Sequence, residues 1–386
     1  MEEAALTGGQ VQWLRGVRLA HLIESDGPGG AERMLASMVT ELQAGGCTNL
    51  VVLPVKGEGW LAQQLDGLGV AIEHFQLTQP ISPGCARWLE ATLRFHAITL
   101  AHSHEFAMAV YGAWAARRAG IPHVITMHGG RYYSQRLRRR LALRTAATLS
   151  GQLVAVSQEL AGHLSRDLWI RPSRVLTIPN GVSYIPAQHS SLRDELQLAP
   201  PDRLILSVGN LYPVKGHQHL VEALALLSPR YPRLHVAIAG RGGLADALLA
   251  RAAALSVSDR LHLLGLRSDI PELLADADVF VLPSLSEGLP MALLEAMFAG
   301  CPIVASDVGE VRAVLQGGEA GVLVPPGDGT GLARAIARLL CNPAEARAFG
   351  ERARQRARAE YDVRVMVTRY ARVYERLLRQ PQSGTR

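Results

Sequence analysis

Short apolar, β-branched runs alternate with helix-length segments along almost the whole chain, the pattern of βαβ units and parallel sheets. In the first half the runs predict strands over Val17–Ile23, Asn49–Val55, Val70–Leu77, Ala97–His104, Pro122–Met127, Gln152–Val156 and Arg174–Ile178. The pattern breaks at Asn180-Gly181 and in the polar, turn-rich run from Ile185 to Ser191, which marks a domain boundary. It restarts with Arg203–Val208, Leu234–Ala239, Arg260–Leu266, Asp278–Pro283, Pro302–Ser306 and Gly321–Val324. Several of these runs (LILSV, HVAIA, VFVLP, PIVAS) show no polar alternation, as expected of central parallel strands covered by helices on both faces. The fold class is therefore α/β, with two doubly wound Rossmann-like domains, residues 1–185 and 186–363, an expected cleft between them, and a final helical stretch with a tail, residues 364–386. In such sheets ligands sit beyond the carboxyl ends of the strands, so residues that directly follow a strand carry the functional signal.

The length of 386 residues agrees with two or three domains at roughly 150 residues each. With 48% apolar and 19% charged residues, disorder, collagen and coiled coil are excluded. Forty Lys+Arg against 34 Asp+Glu leaves a net charge of +6, which favours anionic partners such as phosphates or acidic lipid head groups. Aromatics at 5% and no Cys/His finger spacing argue against a nucleic-acid platform. Cys47, Cys85, Cys301 and Cys341 are too scattered for a zinc or disulfide framework and read as reduced thiols. The acidic N-terminus lacks the order of a signal peptide, and no apolar run approaches the ~18 residues of a membrane span. A cytoplasmic protein is expected, with any membrane contact peripheral.

The most informative segment is the strand end Asp278–Ser284 followed by Leu285-Ser286-Glu287-Gly288-Leu289-Pro290-Met291 and a helix carrying Glu295. The helix start, with proline expected near its first position, offers free N–H groups and the positive end of a dipole to an anion. Glu287 stands where it can accept hydrogen bonds from sugar hydroxyls, and Glu295, eight residues on, where it can accept two from a ribose diol. A capping glutamate and a surface charge are the bland reading, and the strand–turn–helix setting weighs against it. In Gly209-Asn210-Leu211-Tyr212-Pro213-Val214-Lys215-Gly216, Lys215 is the best candidate to offset charge on a leaving diphosphate. Gly29-Gly30 follows the first strand, but Glu32 occupies the third glycine position of a dinucleotide fingerprint, which therefore fails. Close approach of Gly30 to a phosphate and a plain tight turn both stay open. His104 and His128 each end a strand. A structural role is favoured for His104, whereas for His128 both that and a place near a reacting sugar stay open. Asp276-Ala277-Asp278 precedes its strand, at the wrong sheet edge for a metal site, and neither His102-Ser103-His104 nor His217-Gln218-His219 has a carboxylate at zinc spacing. The basic stretch Arg136–Arg144, with Leu137 and Leu141 on one face, suits an anionic lipid surface or acceptor, although a solvated helix is the favoured reading.

On these residues the sequence resembles the retaining GT-B glycosyltransferases called group 1 or family four. The resemblance runs through GPGGAE, AVSQEL, IPNGV, VGNLYPVKG, the E-x₇-E block SEGLPMALLE, GCPIVASDVGEVRAVL and GVLVPPGD. It implies an N-terminal acceptor domain, a C-terminal nucleotide-sugar domain and a last helix, about Arg364 to Arg379, that crosses back to the first. It places Glu287 at the donor sugar, Glu295 at the ribose, and Gly288, Leu289, Pro290 and Met291 against sugar and diphosphate. Lys215 and, from the other domain, Gly30 meet the diphosphate, His128 lies near the transferred sugar, and Leu266-Arg267 borders the base. Asn210 departs from the arginine usual there, which removes one diphosphate cation; Arg241 and Arg267 are the candidate substitutes. The implied activity is sugar transfer with retention, by internal return, from a nucleoside diphosphate sugar to a saccharide or lipid-linked acceptor, without metal or other cofactor. Cell-envelope polysaccharide or glycolipid is the implied product. An epimerase or phosphorylase of this fold, a non-catalytic sugar-nucleotide binder and, more remotely, a nicotinamide oxidoreductase are the rivals.

Overall fold

The computed structural model describes residues 14–77, 82–129, 131–189 and 191–380. It divides into two compact units, Met1–Gly181 with Val363–Arg386, and Val182–Asp362. The chain thus changes unit at Gly181/Val182 and returns at Asp362/Val363.

In the first unit the order is β1 (Arg18–Leu22), α1 (Gly30–Ala44), β2 (Thr48–Pro54), α2 (Trp60–Leu65), β3 (Ala71–Phe75), α3 (Pro83–Phe95) and β4 (Leu100–His104). There follow α4 (Phe106–Ala119), β5 (His123–Met127), α5 (Leu137–Leu149), β6 (Gln152–Ala155), α6 (Gln158–Asp167) and β7 (Val175–Thr177). The second unit holds α7 (Leu192–Glu195), β8 (Arg203–Val208), α8 (His217–Leu227), β9 (Leu234–Ala239), α9 (Ala245–Ala254), β10 (Leu261–Gly265), α10 (Ile270–Asp276) and β11 (Val279–Leu282). It continues with α11 (Met291–Ala299), β12 (Ile303–Ser306), α12 (Val311–Val314), β13 (Val322–Val324), α13 (Gly329–Cys341) and α14 (Pro343–Glu360). Last comes α15 (Val363–Arg379), which belongs to the first unit.

Every run read as a strand is one: β8 and β9 keep the expected bounds, β2 starts one residue earlier, at Thr48, and the others are trimmed at one or both ends. Ala97, at φ 49°, turns the chain out of α3 instead of opening β4. Pro290 is the N-cap of α11, next to its first helical residue, Met291.

Among the described residues the first unit has a seven-stranded sheet, order β3-β2-β1-β4-β5-β6-β7, and the second a six-stranded one, order β10-β9-β8-β11-β12-β13. All paired strands are parallel. The strand order reverses beside β1 in one sheet and beside β8 in the other, the crevices where doubly wound sheets take ligands. Alternate residues feed opposite faces. In the second sheet Leu204, Leu206, Phe280 and Leu282 pack on α10, α11 and α14, whereas Ile205, Val279 and Val281 pack on α8, α9 and α13. In the first, Leu19, Leu100 and Val124 meet α1 and α15, while Ala20, Leu22 and Ala101 meet α3 and α4.

Candidate active site

In the second unit, backbone hydrogen bonds tie together the loops that leave the carboxyl ends of β8, β9, β11 and β12. The Gly209 and Leu211 amides donate to the Ala239 and Arg241 carbonyls (both 2.9 Å), Leu285 N–H to Val214 O (2.8 Å), and Glu310 N–H to Gly288 O (3.3 Å). Gly216 is required where it stands. Its φ is +63°, and a Cβ would lie 2.1 Å from Pro283 O, so any side chain would part the lysine loop from the glutamate turn.

That closeness brings two predicted site residues into contact. Lys215 Nζ lies 2.7 Å from Glu287 Oε1, and Ser284 Oγ donates to the same oxygen at 2.6 Å. Glu287 is 8% exposed in its side chain and Lys215 27%. Directly after Glu287 the turn runs through Gly288, where nothing lies within 4 Å of an added Cβ, to the N-terminus of α11. Its first-turn amides have no partner four residues back, and no side chain caps them. An ammonium, uncapped helix amides and a hydrogen-bonded carboxylate therefore sit within one turn, which suits an anion flanked by hydroxyls. Glu295 is the fifth residue of α11, half-buried; after burial, its charge is one of those that raise the Tyr184 hydroxyl.

Other predicted donor residues stand apart from that pair. Asn210 is exposed on the β8 loop, and Leu266, 56% exposed, follows β10. Arg267 is bound by two carboxylates: both Glu195 oxygens lie 2.9 Å from Nη1, and Asp269 accepts at 2.7 and 2.5 Å. As a stand-in for the missing diphosphate arginine it is already neutralised. The Asp276-Ala277-Asp278 motif is structural. Asp278 takes Arg193 and Arg203 at 2.7 Å each, and Asp276 accepts from the Arg193 amide at 3.1 Å. In the pair read as unfit for zinc, His219 bonds Glu222 (3.2 Å), while buried His217 lies 3.2 Å from the Gly209 carbonyl.

In the first unit Gly30 opens α1 and is exposed. His128 belongs to a row of imidazoles on one face of the sheet. Parallel register sets His21 beside His102 and His104 beside Thr126. His104 Nδ1 lies 3.0 Å from His128 Nε2, and its Nε2 3.5 Å from His21 Nδ1. His102 bonds Tyr374 OH (2.7 Å) and Thr126 Oγ1 (2.8 Å), and Thr126 bonds Tyr370 OH (2.9 Å), both tyrosines on α15. Burial lowers His21 and His128 to about 4 and puts His102 and His104 well below the usual range, so the row is neutral near pH 7. One nitrogen each of His21, His102 and His104 fall within 4.8 Å of one another, a compactness hidden from the sequence because His21 joins through strand pairing. His102 and His104 nevertheless use both ring nitrogens on protein partners, which makes the cluster a hydrogen-bond network. His128 Nδ1 is buried without a partner among the described residues.

Glu105, between β4 and α4, escaped the sequence reading. Its φ of 67° with ψ of −176° is a conformation normally left to glycine, and such strain concentrates at functional positions. Its Oε1 accepts the His128 N–H at 3.1 Å, and burial, reinforced by the charge of Glu24, raises the carboxyl to about 7.

Two family models match in tandem, Glycosyltransferase Family 4 over residues 28–184 and Glycosyl transferases group 1 over residues 189–356. An α-maltose-1-phosphate synthase of Mycobacterium tuberculosis is 32% identical over 300 residues, 69% of this chain and 76% of that protein. The chain belongs to the group 1 glycosyltransferase family. A second family member, the Escherichia coli UDP-Gal:α-D-GlcNAc-diphosphoundecaprenol α-1,3-galactosyltransferase, is 30% identical over 254 residues. That match takes in 62% of this chain and 66% of the relative, just under two thirds of its length. The crystal structure of Anabaena HepE with UDP superposes with a TM-score of 0.82 at 24% identity, covering 94% of this chain and 100% of that one. The family's GT-B fold of two Rossmann-like domains is thus the fold of this protein. Among its described residues no helix is long and apolar enough to cross a membrane.

Proposed function

We propose that the protein transfers a sugar from a nucleoside diphosphate sugar to an acceptor hydroxyl, in polysaccharide or glycolipid synthesis, with retention of anomeric configuration. The observation that carries this reading is the 2.7 Å Lys215–Glu287 contact beside the uncapped start of α11. An ammonium has three donors, so Lys215 can hold Glu287 and a diphosphate oxygen together. Charge on the departing diphosphate then falls on Lys215 and the helix amides, an electrostatic stabilisation that grows as the bond breaks. Glu287 accepts from hydroxyls of the donor sugar and Glu295 from the ribose. Within the first unit we assign His128 to the transferred sugar and Gly30 to the diphosphate. UDP is the nucleotide of first choice, since one relative is named for UDP-Gal and HepE was crystallised with UDP. Retention by internal return is favoured because no residue of the second-unit site stands out as a covalent nucleophile. We extend the proposal to catalysis without metal and to peripheral contact with anionic membrane through α5.

The test is UDP release from UDP-sugars with and without an acceptor extract. Transfer requires acceptor-dependent release, unchanged by EDTA, and an axial product linkage by NMR if the donor linkage is axial. Lys215→Ala and Glu287→Ala should each lower kcat about 10²–10³-fold, the usual loss for one transition-state charge contact, with the melting temperature little changed. Acceptor-independent release points to an epimerase or phosphorylase; full activity in both variants points to a binding protein.

A further inference from the structure

At one end of the imidazole row in the first unit stands His128, whose Nδ1 is buried without a partner among the described residues, and at the other His21, whose Nε2 is buried in the same way. Beyond His21 lies Asn49. In the pairing of β1 with β2, Asn49 stands opposite Leu19, so its side chain emerges on the sheet face that carries His21, two residues along. Asn49 is 1% exposed. Its Nδ2 donates to Gln43 Oε1, from the last turn of α1, at 2.8 Å. With the amide nitrogen drawn to Gln43, the buried Oδ1 makes no hydrogen bond with the described residues. Burial lowers His21 to about 4 and the Asn49 side chain works against that, the sense expected of an acceptor beside the ring.

These groups give the row one direction. A neutral imidazole has one N–H and one bare nitrogen, and His21, His104 and His128 are all neutral near pH 7. Asn49 Oδ1 can only accept, so the hydrogen of His21 belongs on Nε2 and its Nδ1 is bare. That nitrogen accepts from His104 Nε2–H (3.5 Å), which leaves His104 Nδ1 bare to accept from His128 Nε2–H (3.0 Å). The orphaned Nδ1 of His128 is then an acceptor. The opposite direction would turn two lone pairs, on His21 Nε2 and Asn49 Oδ1, toward each other in a buried space where neither finds a donor. In any histidine the partner of one ring nitrogen decides what the other can do, and here that dependence runs through three rings.

We propose that Asn49 is a positioning residue: through His21 and His104 it holds the hydrogen of His128 on Nε2, so that Nδ1 accepts a hydroxyl hydrogen from the transferred sugar and selects for a hydroxyl there. The contact with the sugar rests on the transfer reading, whereas the direction of the row does not. Long-range proton–nitrogen NMR of the full-length protein, labelled in its imidazoles and held near neutral pH, reads which nitrogen of each ring carries hydrogen; His128 is assigned by its absence in His128→Gln. His21, His104 and His128 should all carry it on Nε2. Asn49→Leu removes the acceptor, and Gln43→Leu, at a half-buried position on α1, frees the Asn49 amide to turn. Each should raise the Nδ1–H share of His128 about fivefold or more, the worth of one hydrogen bond, while Gln43→Glu, which can only accept, should keep the wild-type pattern. The proposal is overturned if wild-type His128 carries its hydrogen on Nδ1, or if that share is unchanged in every one of the two leucine variants that folds. Activity supplies a second readout. Among UDP-sugars with each hydroxyl in turn replaced by fluorine, which accepts but does not donate, one should cost the wild type about tenfold in kcat/KM and cost Asn49→Leu less; equal costs in the two proteins overturn the selection by Nδ1. Release of UDP from no UDP-sugar by the wild type would remove the transfer reading itself and leave the NMR result to decide the direction of the row.

Discussion

Glu105 shows how one side chain can carry a local cost for a site. In its φ/ψ region a non-glycine residue costs on the order of 1–3 kcal/mol, and the Thr126 and Ala109 backbone bonds hold it there. Glu105→Ala keeps the strain and loses the bond to the His128 amide, whereas Glu105→Gly loses the same bond and relaxes the backbone. The glycine variant should therefore be about 1 kcal/mol more stable than the alanine one in urea titrations, while both lose activity; equal stability would mean that the backbone is unstrained. The buried histidines set an acid limit. His21 and His128 fall from 6.5 to about 4, and His123 to about 3, by desolvation. A lowered folded value contributes stability that is complete above pH 6.5 and is lost as pH falls toward 4. Glu105, raised from 4.5 to about 7, works in the opposite sense: its contribution is complete below about 4.5 and lost as pH rises through 7. Because several histidines oppose Glu105 and Glu24, whose carboxyl burial also raises, the melting temperature should drop steadily between pH 6.5 and 4, and Glu105→Gln should make that drop steeper.

Among the helices, α5 departs from ordinary amphipathic design. Its core face is Leu143, Ala146 and Ala147, while Leu137 and Leu141 are 60% and 48% exposed among arginines. Arg140 is taken up by the Trp169 ring at 4.2 Å and the Asp167 carbonyl at 2.7 Å, but Arg136 and Arg138 remain exposed. This outward leucine pair is the surface that the proposed membrane contact would bury. Co-sedimentation with vesicles containing anionic lipid should be measurable at low salt and fade at high salt. Leu137→Asp with Leu141→Asp should weaken it about tenfold or more, from the ~1.5–3 kcal/mol that each buried leucine supplies. Binding that is indifferent to both changes would leave α5 a solvated helix. The strand–turn–helix string at the α11 start was legible in the sequence, and Pro290, in extended backbone at φ −75° and ψ 116°, is the N-cap just before the first helical residue.

Across the whole molecule the telling feature is that α15, last in sequence, completes the core of the first unit. Met366, Val367, Tyr370, Ala371 and Tyr374 are each 1% exposed or less, and Tyr374 closes the His102 network. At ~1.5–3 kcal/mol per large apolar side chain, their loss rivals the 5–15 kcal/mol that typically holds a domain together. A chain ending at Asp362 should lose one cooperative transition in calorimetry, while the second unit, with its own two core clusters, keeps its transition and its stabilisation by UDP. Loss of both transitions would show that the units fold only together. The strands, the α/β class and the strand–turn–helix segments to which the proposal assigns the donor could be read from the sequence, because apolar period, glycine turns and helix starts are local properties of consecutive residues. The row of histidines with Asn49 at its end, the Lys215–Glu287 contact and the strained Glu105 could not. Each depends on which strands lie side by side and how closely their loops approach, distances that arise only when separate segments compete for the same buried space.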